Sequence, residues 1–365
     1  MAHDILFVGA DAGGNVPPMR AVAAELAARG HRIAFAGLDP PDPAEERVPL
    51  PAIAGREPGP ATTGSAQLRG MVRVGLGRAL GRETGEVVAR RRPDVAVVDG
   101  MMLTAIRAAA RTGVPVVALF HSFGAVWGDG IWQGPAGTVL RPFGLAPAEV
   151  WGSAAARLLL TDRELDPLTD DANTIGFEWT GTTERGAEPA PRGPGTPPLV
   201  LVSLSSVWQR DQDDVYRRIL AALRPLPVRA IVTRSVPRTA FRGEIPPNVE
   251  LLRRTPHADL LPRADLVIGH GGHSTTLSAL AHGVPLLVLP MNRASDQRLI
   301  GDIVEENGLG LTLPRSVPPL AIRGAIRRIL ADGTITAAAA RTGRRLRAQN
   351  GARVAADRIE AVVAR

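Results

Sequence analysis

The stretch GHGGHSTTLSALAHGVPLLVLP, residues 269–290, contains the pattern that decides the fold. The residues before it, ADLVI, predict a strand, and the residues after its three hydroxyls predict a helix. Two glycines let the backbone approach a ligand closely, and Ser274, Thr275 or Thr276 would cap the helix. Because unpaired N–H groups and a positive dipole end favour anions, we predict a phosphate site built from main-chain amides.

The composition excludes several kinds of chemistry. The chain of 365 residues has no cysteine, which excludes disulfides, thiolate nucleophiles and cysteine-ligated zinc. All 43 basic residues are arginine, so no lysine is present for a Schiff base or a Walker P-loop. We expect any bound anion to be held by backbone N–H groups, hydroxyls, histidine or arginine. A metal site at His270 and His273 lacks a third ligand nearby, and none is predicted.

The net charge is +7 and the pI about 11.1, but the arginines are dispersed and no aromatic residues are interleaved with them. This pattern predicts solvated helix faces and no nucleic-acid partner.

No run approaches the roughly 18 apolar residues that a membrane span requires. The first residues also lack the features of a signal peptide, so we expect a cytoplasmic protein without membrane contact.

Strand and helix patterns alternate along most of the chain, which predicts an α/β fold with parallel sheets covered on both faces. A proline- and glycine-rich stretch, GAEPAPRGPGTPP, interrupts the alternation and predicts a linker. We expect two doubly wound, Rossmann-like domains that face a cleft. The predicted boundaries are 1–185 for the N-terminal domain, 186–198 for the linker, 199–340 for the C-terminal domain, and 341–365 for a helical tail that packs back toward the N-terminal domain.

Two ordered motifs resemble a known family. The sequence H-G-G-H-S-T-T, followed by GVPLLVLP and then Asp296-Gln297, resembles the donor-binding signature of the family 1 glycosyltransferases with the GT-B fold. The N-terminal GGNVPPMRAVAAELAARGH is similar to that family's first acceptor-domain loop and helix. The resemblance implies an acceptor-binding N-terminal domain and a C-terminal domain that binds a nucleotide sugar.

The resemblance also implies roles for single residues. His270 and the Ser274/Thr275 pair would contact the donor pyrophosphate, with Ser206 assisting them. Asp296 and Gln297 would bind the sugar hydroxyls, and His257 would lie beside the nucleobase. With the turn itself and the residue at the stacking position, the predicted donor site consists of Ser206, Arg254, His257, His270, Gly271, Gly272, His273, Ser274, Thr275, Asp296 and Gln297.

The chain departs from the family pattern at several of these positions. Ser278 stands where many relatives have a glutamate that binds the ribose hydroxyls. Arg254 replaces a tryptophan that often stacks on the base, and a guanidinium plane stacks less apolarly. The spacing between Pro290 and Asp296 is two residues longer than the spacing common in the family, which predicts a reshaped sugar pocket.

The most consequential departure is Asn15, which replaces the histidine that deprotonates the acceptor in the family. A neutral amide cannot accept that proton. Three other candidates follow strands of the first sheet: Asp11, Asp99 and His121. We favour a His121/Asp99 pair, in which the carboxylate would fix the tautomer of the ring. Asn15 would then orient the acceptor or bind a sugar oxygen.

Each candidate base also has a structural interpretation. His121 could equally be a buried histidine whose ring hydrogen-bonds to the backbone. Asp99 could cap the helix that starts at Thr104, and Asp11 could be a turn residue. The glycine-rich segment between Phe120 and Val150 holds two tryptophans and suits either a wall for a flat acceptor or ordinary core packing.

The function implied is an inverting, metal-independent hexosyltransferase that needs no cofactor beyond its co-substrate, a UDP- or dTDP-sugar. The acceptor would be a small lipophilic aglycone such as a polyketide or other secondary metabolite, as in antibiotic biosynthesis. Two alternatives stay open: a non-catalytic, glycosyltransferase-like auxiliary or binding protein, and a sugar-nucleotide 2-epimerase. The sequence does not decide whether the chain forms a homodimer.

Overall fold

The computed structural model of the chain describes residues 1–11, 14–40, 45–53, 74–128, 135–205, 211–234, 244–253, 255–292 and 295–365. These residues form two compact units. The first unit holds the described residues up to Thr183 together with Asn350–Arg365, and the second holds those of Glu184–Gln349. The proline-rich segment 186–198 has no helix or strand, and its Ala190 N–H donates to the Pro262 carbonyl at 2.7 Å.

The first unit is built on a parallel sheet of seven strands in the order β3-β2-β1-β4-β5-β6-β7. The strands are β1 (Asp4–Val8), β2 (Arg32–Ala36), β3 (Glu46–Val48), β4 (Val95–Asp99), β5 (Val116–Phe120), β6 (Ala156–Leu159) and β7 (Glu178–Trp179). The helices of this unit are α1 (Val16–Ala28), α2 (Arg78–Arg91), α3 (Leu103–Ala110), α4 (Gly124–Gly128), α5 (Pro135–Leu140), α6 (Pro147–Gly152) and α13 (Gly351–Val363). Strands β4 and β5 are buried along their whole length because helices cover both faces of the sheet.

The strand order places three loops side by side. Strand β1 pairs with β2 on one side and with β4 on the other, and β4 pairs with β5. The loops that follow β1, β4 and β5 therefore meet at the carboxyl edge of the sheet, which is where ligands of open parallel sheets bind. Asn15, Asp99 and His121 belong to these three loops or to the strand ends beside them.

An aromatic cluster packs around Phe120, the last residue of β5, next to this edge of the sheet. The ring of Phe120 contacts Trp127, Trp151 and Phe177 edge-on, with centroids 5.4, 5.2 and 4.9 Å away. The Trp151 Nε1–H donates to the carbonyl of Gly100 at 2.8 Å, which fixes the chain just after β4. Trp127 is thus a core residue rather than part of an exposed wall, and the second tryptophan of that segment, Trp132, lies outside the described residues.

The last helix of the chain, α13, belongs to the first unit and packs against α1. The Arg29 guanidinium, at the end of α1, donates to Asp357 at 2.7 Å and to Glu360 at 2.8 Å. The His31 ring lies 2.8 Å from the other Glu360 oxygen. The helix before it, Gly333–Arg347, belongs to the second unit, so the predicted tail 341–365 divides between the two.

The second unit is a six-stranded parallel sheet in the order β10-β9-β8-β11-β12-β13. Its strands are β8 (Leu199–Ser203), β9 (Arg229–Arg234), β10 (Val249–Arg253), β11 (Leu266–Gly269), β12 (Leu286–Val288) and β13 (Gly310–Thr312). Its helices are α7 (Gln212–Leu223), α8 (His257–Leu260), α9 (His273–Ala281), α10 (Gln297–Glu306), α11 (Pro319–Ala331) and α12 (Gly333–Arg347). The predicted α/β fold of two doubly wound parallel sheets is confirmed.

The helices of the described regions are short or amphipathic. None of them combines the length and the apolar character that crossing a bilayer would require.

Helices α9 and α12 cross at a glycine. A Cβ at Gly343 would lie 2.8 Å from both the Gly283 nitrogen and the Leu280 oxygen, and backbone atoms cannot move aside as a flexible side chain can. Gly324, inside α11, has open space at the same place, with nothing within 4 Å. The two helical glycines differ mainly in this contact.

We expect Gly343→Ala to lower the free energy of unfolding of the second unit by about 1–3 kcal/mol, because the added methyl group forces α12 away from α9. Gly324→Ala is the matched control and should stabilise the chain by up to ~1 kcal/mol, since alanine is the better helix former. Differential scanning calorimetry of both variants measures the effect. Equal shifts would contradict the close crossing.

Candidate functional site

The turn after β11 adopts a conformation that requires glycine. Gly271 has φ +83°, and a Cβ there would lie 2.7 Å from the Gln297 carbonyl oxygen. Gly272 is the N-cap of α9, and the first hydrogen bond of the helix runs from the Thr276 N–H to the Gly272 oxygen. The N–H groups of residues 273–275 precede that bond and form the positive end of the helix.

The predicted hydroxyl cap of this helix is wrong. The helix begins at His273, so the three hydroxyls lie in its first turn, and the Gly272 cap makes no side-chain hydrogen bond. The Ser274 hydroxyl instead donates to Glu184 Oε1 at 2.5 Å. Glu184 was not among the residues predicted from the sequence, because it lies in the chain just before the linker and no local pattern relates it to α9.

His270 is a buried neutral ring beside the same turn. A Cβ at Gly272 would lie 2.7 Å from His270 Nε2, which shows how closely the ring covers the entrance of α9. Burial lowers the pKa of His270 to about 4, although the backbone of Ser203 favours its charged form. Its Nδ1 is buried and has no hydrogen-bond partner among the described residues. The His270 ring is therefore neutral, and its Nδ1 is available for a hydrogen bond with a ligand.

A second histidine reaches the same strand ends. His257 Nε2 lies 2.9 Å from the Ser203 hydroxyl, and burial lowers the pKa of His257. Because Ser203 is in register with Gly269 across β8 and β11, this pair lies next to the glycine turn. Ser203 could have been found from the sequence as the polar residue that ends the apolar strand LVLVS. The predicted Ser206 and Arg254 lie outside the described residues.

The loop before α10 also contacts the glycine turn. The Oε1 of Gln297 accepts hydrogen bonds from the N–H groups of Met291 and Asn292, at 2.7 and 2.9 Å. These two donors fix the orientation of the amide, so its oxygen closes the loop and its Nε2 remains as a donor. Asp296 precedes the helix as its N-cap residue. Gln297 also provides the carbonyl that approaches Gly271, which joins the two segments.

In the first unit, Asp99 is paired with Asn15. The Asn15 Nδ2 donates to Asp99 Oδ2 at 2.7 Å and to the Ala10 carbonyl at 2.8 Å, and both side chains are buried. The other oxygen of Asp99 accepts from the Met101 N–H at 2.9 Å. The hydrogen bonds of Asp99 thus go to Asn15 and Met101, whereas His121 contacts Trp127, so the predicted His121/Asp99 pair is not seen. Asp99 also does not cap α3, which begins at Leu103.

The two other candidate bases are less enclosed. His121 is partly exposed after β5, where its ring contacts Trp127 and its backbone oxygen accepts from the Trp127 Nε1–H at 3.0 Å. Asp11 is exposed in the loop after β1. Of the four predicted residues in this unit, the structure thus joins Asn15 to Asp99. Among the described residues, no group of three or more His, Cys, Asp and Glu side chains is arranged to hold a metal ion.

Two family models match the chain. The model described as "Erythromycin biosynthesis protein CIII-like, C-terminal domain" matches residues 217–361, and the model described as "Glycosyltransferase Family 4" matches residues 19–159. The first covers most of the second unit and the second much of the first unit.

Curated proteins resemble the chain over its whole length. Demethyllactenocin mycarosyltransferase of Streptomyces fradiae is 28% identical, over 100% of this chain and 87% of its own length. Oleandomycin glycosyltransferase of Streptomyces antibioticus is 28% identical, over 99% of this chain and 90% of its own length.

Solved structures share the fold. The calicheamicin glycosyltransferase CalG4 has a TM-score of 0.76 at 24% identity, over 100% of this chain and 99% of the other. The glycosyltransferase VinC, solved in complex with dTDP, has a TM-score of 0.72 at 18% identity, over 98% and 99% of the two chains.

The buried ring of His270 predicts a pH-dependent stability. Between pH 6.5 and about 4 the unfolded chain binds a proton at this ring that the folded chain does not, so stability falls as the pH is lowered through that window. At pH 5 the loss due to His270 alone is on the order of 2 kcal/mol. We expect His270→Asn to melt with a smaller decrease in Tm between pH 7 and pH 5. Parallel Tm profiles for the two proteins would contradict the buried neutral ring.

The Asn15–Asp99 contact predicts the effect of a second carboxylate. In Asn15→Asp two carboxyl groups would meet within hydrogen-bond distance, and only one of them can ionise without strong repulsion. We expect this variant to lose about 3 kcal/mol of stability at pH 7.5 and to recover most of it near pH 5, where one carboxyl is protonated. Calorimetric scans at the two pH values measure the difference. A loss of equal size at both values would argue against the contact.

Proposed function

We propose that the chain is a family 1 glycosyltransferase with the GT-B fold, and that it transfers a sugar from a nucleoside diphosphate to a small lipophilic secondary metabolite, with inversion at the anomeric carbon. The relatives named above act on natural products, which supports this acceptor class, and they favour neither an epimerase nor a binding protein. VinC, which shares the fold, was solved in complex with dTDP, and this supports the dTDP-sugar among the two predicted kinds of donor.

One observation supports the donor site above the others. The first turn of α9 presents three N–H groups, and the buried Nδ1 of His270 lacks a partner among the described residues at the same turn. A buried polar atom without a hydrogen bond costs free energy, about 1–3 kcal/mol, unless a ligand satisfies it. A diphosphate oxygen would accept from the helix N–H groups, and from His270 Nδ1–H in the tautomer whose single proton lies on Nδ1 rather than on the nitrogen that faces the Ser203 backbone. These donors neutralise the leaving group, so we propose that no metal ion is required.

The sugar would be recognised by polar side chains at the start of α10. The Oε1 of Gln297 is occupied by the backbone, so only its Nε2–H groups remain for a sugar oxygen. Asp296 would accept hydrogen bonds from sugar hydroxyls. His257, held at Ser203, would lie beside the base, as the resemblance implies.

His121 is proposed as the base that receives the acceptor proton. Asp99 is buried and binds Asn15, so it acts on the geometry of the loop rather than on the acceptor. The acceptor oxygen attacks the anomeric carbon as its proton passes to the ring, the bond to the diphosphate breaks, and the electron pair leaves with the phosphate oxygen. The Asn15 amide, which Asp99 fixes, would orient the acceptor.

Transfer is tested by incubating the chain with UDP- and dTDP-sugars and a panel of phenolic and macrolactone acceptors. The expected product is a glycoside whose anomeric configuration, read by NMR, is opposite to that of the donor. If calorimetry detects no binding of any nucleotide sugar, the proposal is wrong.

The assignment of the base predicts a specific kinetic change. We expect His121→Asn to lower kcat by about 10²–10⁴-fold, which is the usual size of a general-base contribution, and to leave the Kd of the nucleotide sugar unchanged. His3→Asn, which changes a histidine at the opposite end of β1, is the control. Full activity in His121→Asn together with its loss in Asp11→Asn would assign the base to Asp11 instead.

A further inference from the structure

Glu184 touches the helix end that would bind the donor. Its Oε1 accepts the Ser274 hydroxyl at 2.5 Å, and the Ser278 hydroxyl also hydrogen-bonds to its carboxyl group. Ser274 and Ser278 are four residues apart on α9 and lie on the same face of the helix. The carboxyl group therefore covers the first turn of α9 from the side.

The direction of the Ser274 hydrogen bond conflicts with anion binding. An ionised carboxylate only accepts hydrogen bonds, and a serine hydroxyl has a single proton to donate. While Ser274 donates to Glu184, it can offer a phosphate oxygen only lone pairs. A diphosphate bound at this turn and an ionised Glu184 would therefore compete for the same proton, and their negative charges would repel each other.

The surroundings of Glu184 allow this carboxyl to hold a proton. Burial raises the pKa of Glu184, and the hydrogen bonds from Ser274 and Ser278 oppose that rise without cancelling it. Among the described residues, burial and these two hydroxyls account for the shift. The buried ring of His270 beside the start of α9 is neutral, and on α12 Arg347 binds the Ala281 carbonyl at the far end of the helix.

Building on the proposed donor site, we infer that Glu184 binds a proton from solvent when a nucleotide sugar binds at the start of α9. The protonated carboxyl then donates to the Ser274 oxygen, and the Ser274 hydroxyl turns its own proton toward a phosphate oxygen. No covalent bond changes in this step. Glu184 is thus a positioning residue, which sets the hydrogen-bond direction of Ser274 and makes donor affinity depend on pH.

The expected signature is proton uptake on binding. dTDP-glucose is a suitable probe because both of its phosphates are esterified and ionised near neutral pH. Titration calorimetry of the full chain in two buffers of different ionisation enthalpy should show close to one proton taken up per dTDP-glucose bound. Above the pKa of free Glu184, the affinity should fall about tenfold per pH unit, as expected when one proton is linked to binding.

Variants separate Glu184 from other titrating groups. Glu184→Gln places a permanent donor beside Ser274, so it should bind dTDP-glucose without proton uptake and with a Kd that does not change with pH. Ser274→Ala removes the shared hydroxyl, so it should bind more weakly and with less proton uptake, since only the repulsion between the carboxylate and the diphosphate remains. Glu188→Gln, an exposed glutamate in the same segment, is the matched control and should retain the behaviour of the unmodified chain.

Each outcome decides between the two proposals. If neither the unmodified chain nor any of the variants binds dTDP-glucose or UDP-glucose, the proposed function is wrong. If the unmodified chain binds without proton uptake, or if Glu184→Gln retains the uptake, the role of Glu184 is wrong while the donor site stands. Should Glu184→Gln fail to fold, Ser274→Ala gives the same test from the other side of the hydrogen bond.

Discussion

The proposed anion site of the second unit has to be built without an amine side chain. With no lysine in the chain, the positive potential at the strand ends comes from the first turn of α9, and it is accessible only because the backbone before that turn has no side chain. Gly271 adopts a left-handed conformation against the Gln297 carbonyl, which joins the glycine turn after β11 to the start of α10. One backbone contact thus connects two regions predicted to bind different parts of the donor.

Local patterns predicted the fold because both sheets are parallel. Their strands are buried on both faces and appear in the sequence as short apolar runs such as DILFV and LVLVS, which alternate with helices of regular period. The glycine turn and the helix after it were predicted for the same reason. The start of that helix was misassigned, since a run of three hydroxyls is typical of a cap and the true cap is Gly272.

The pairings within the sites could not be predicted from local patterns. Asn15 and Asp99 are 84 positions apart, and Ser274 and Glu184 are 90 positions apart. Such contacts depend on which strands become neighbours. Local sequence patterns predict single strands and helices, but they do not predict the strand order. Asp99 was assigned to His121 because both follow strands of one sheet. In the structure the buried amide of Asn15 donates to this carboxylate instead.

The path of the chain near its end limits how the protein can be dissected. Helix α13 returns to the first unit, where Gly351 N–H binds the Thr182 carbonyl and Ala355 and Ile359 are buried in the core that contains Val22 and Leu26. A single cut before Glu184 would therefore leave the amino-terminal fragment without helix α13 and would expose the apolar residues that this helix covers. Complementation by the peptide 350–365, rather than simple truncation, is the rational route to an isolated first unit.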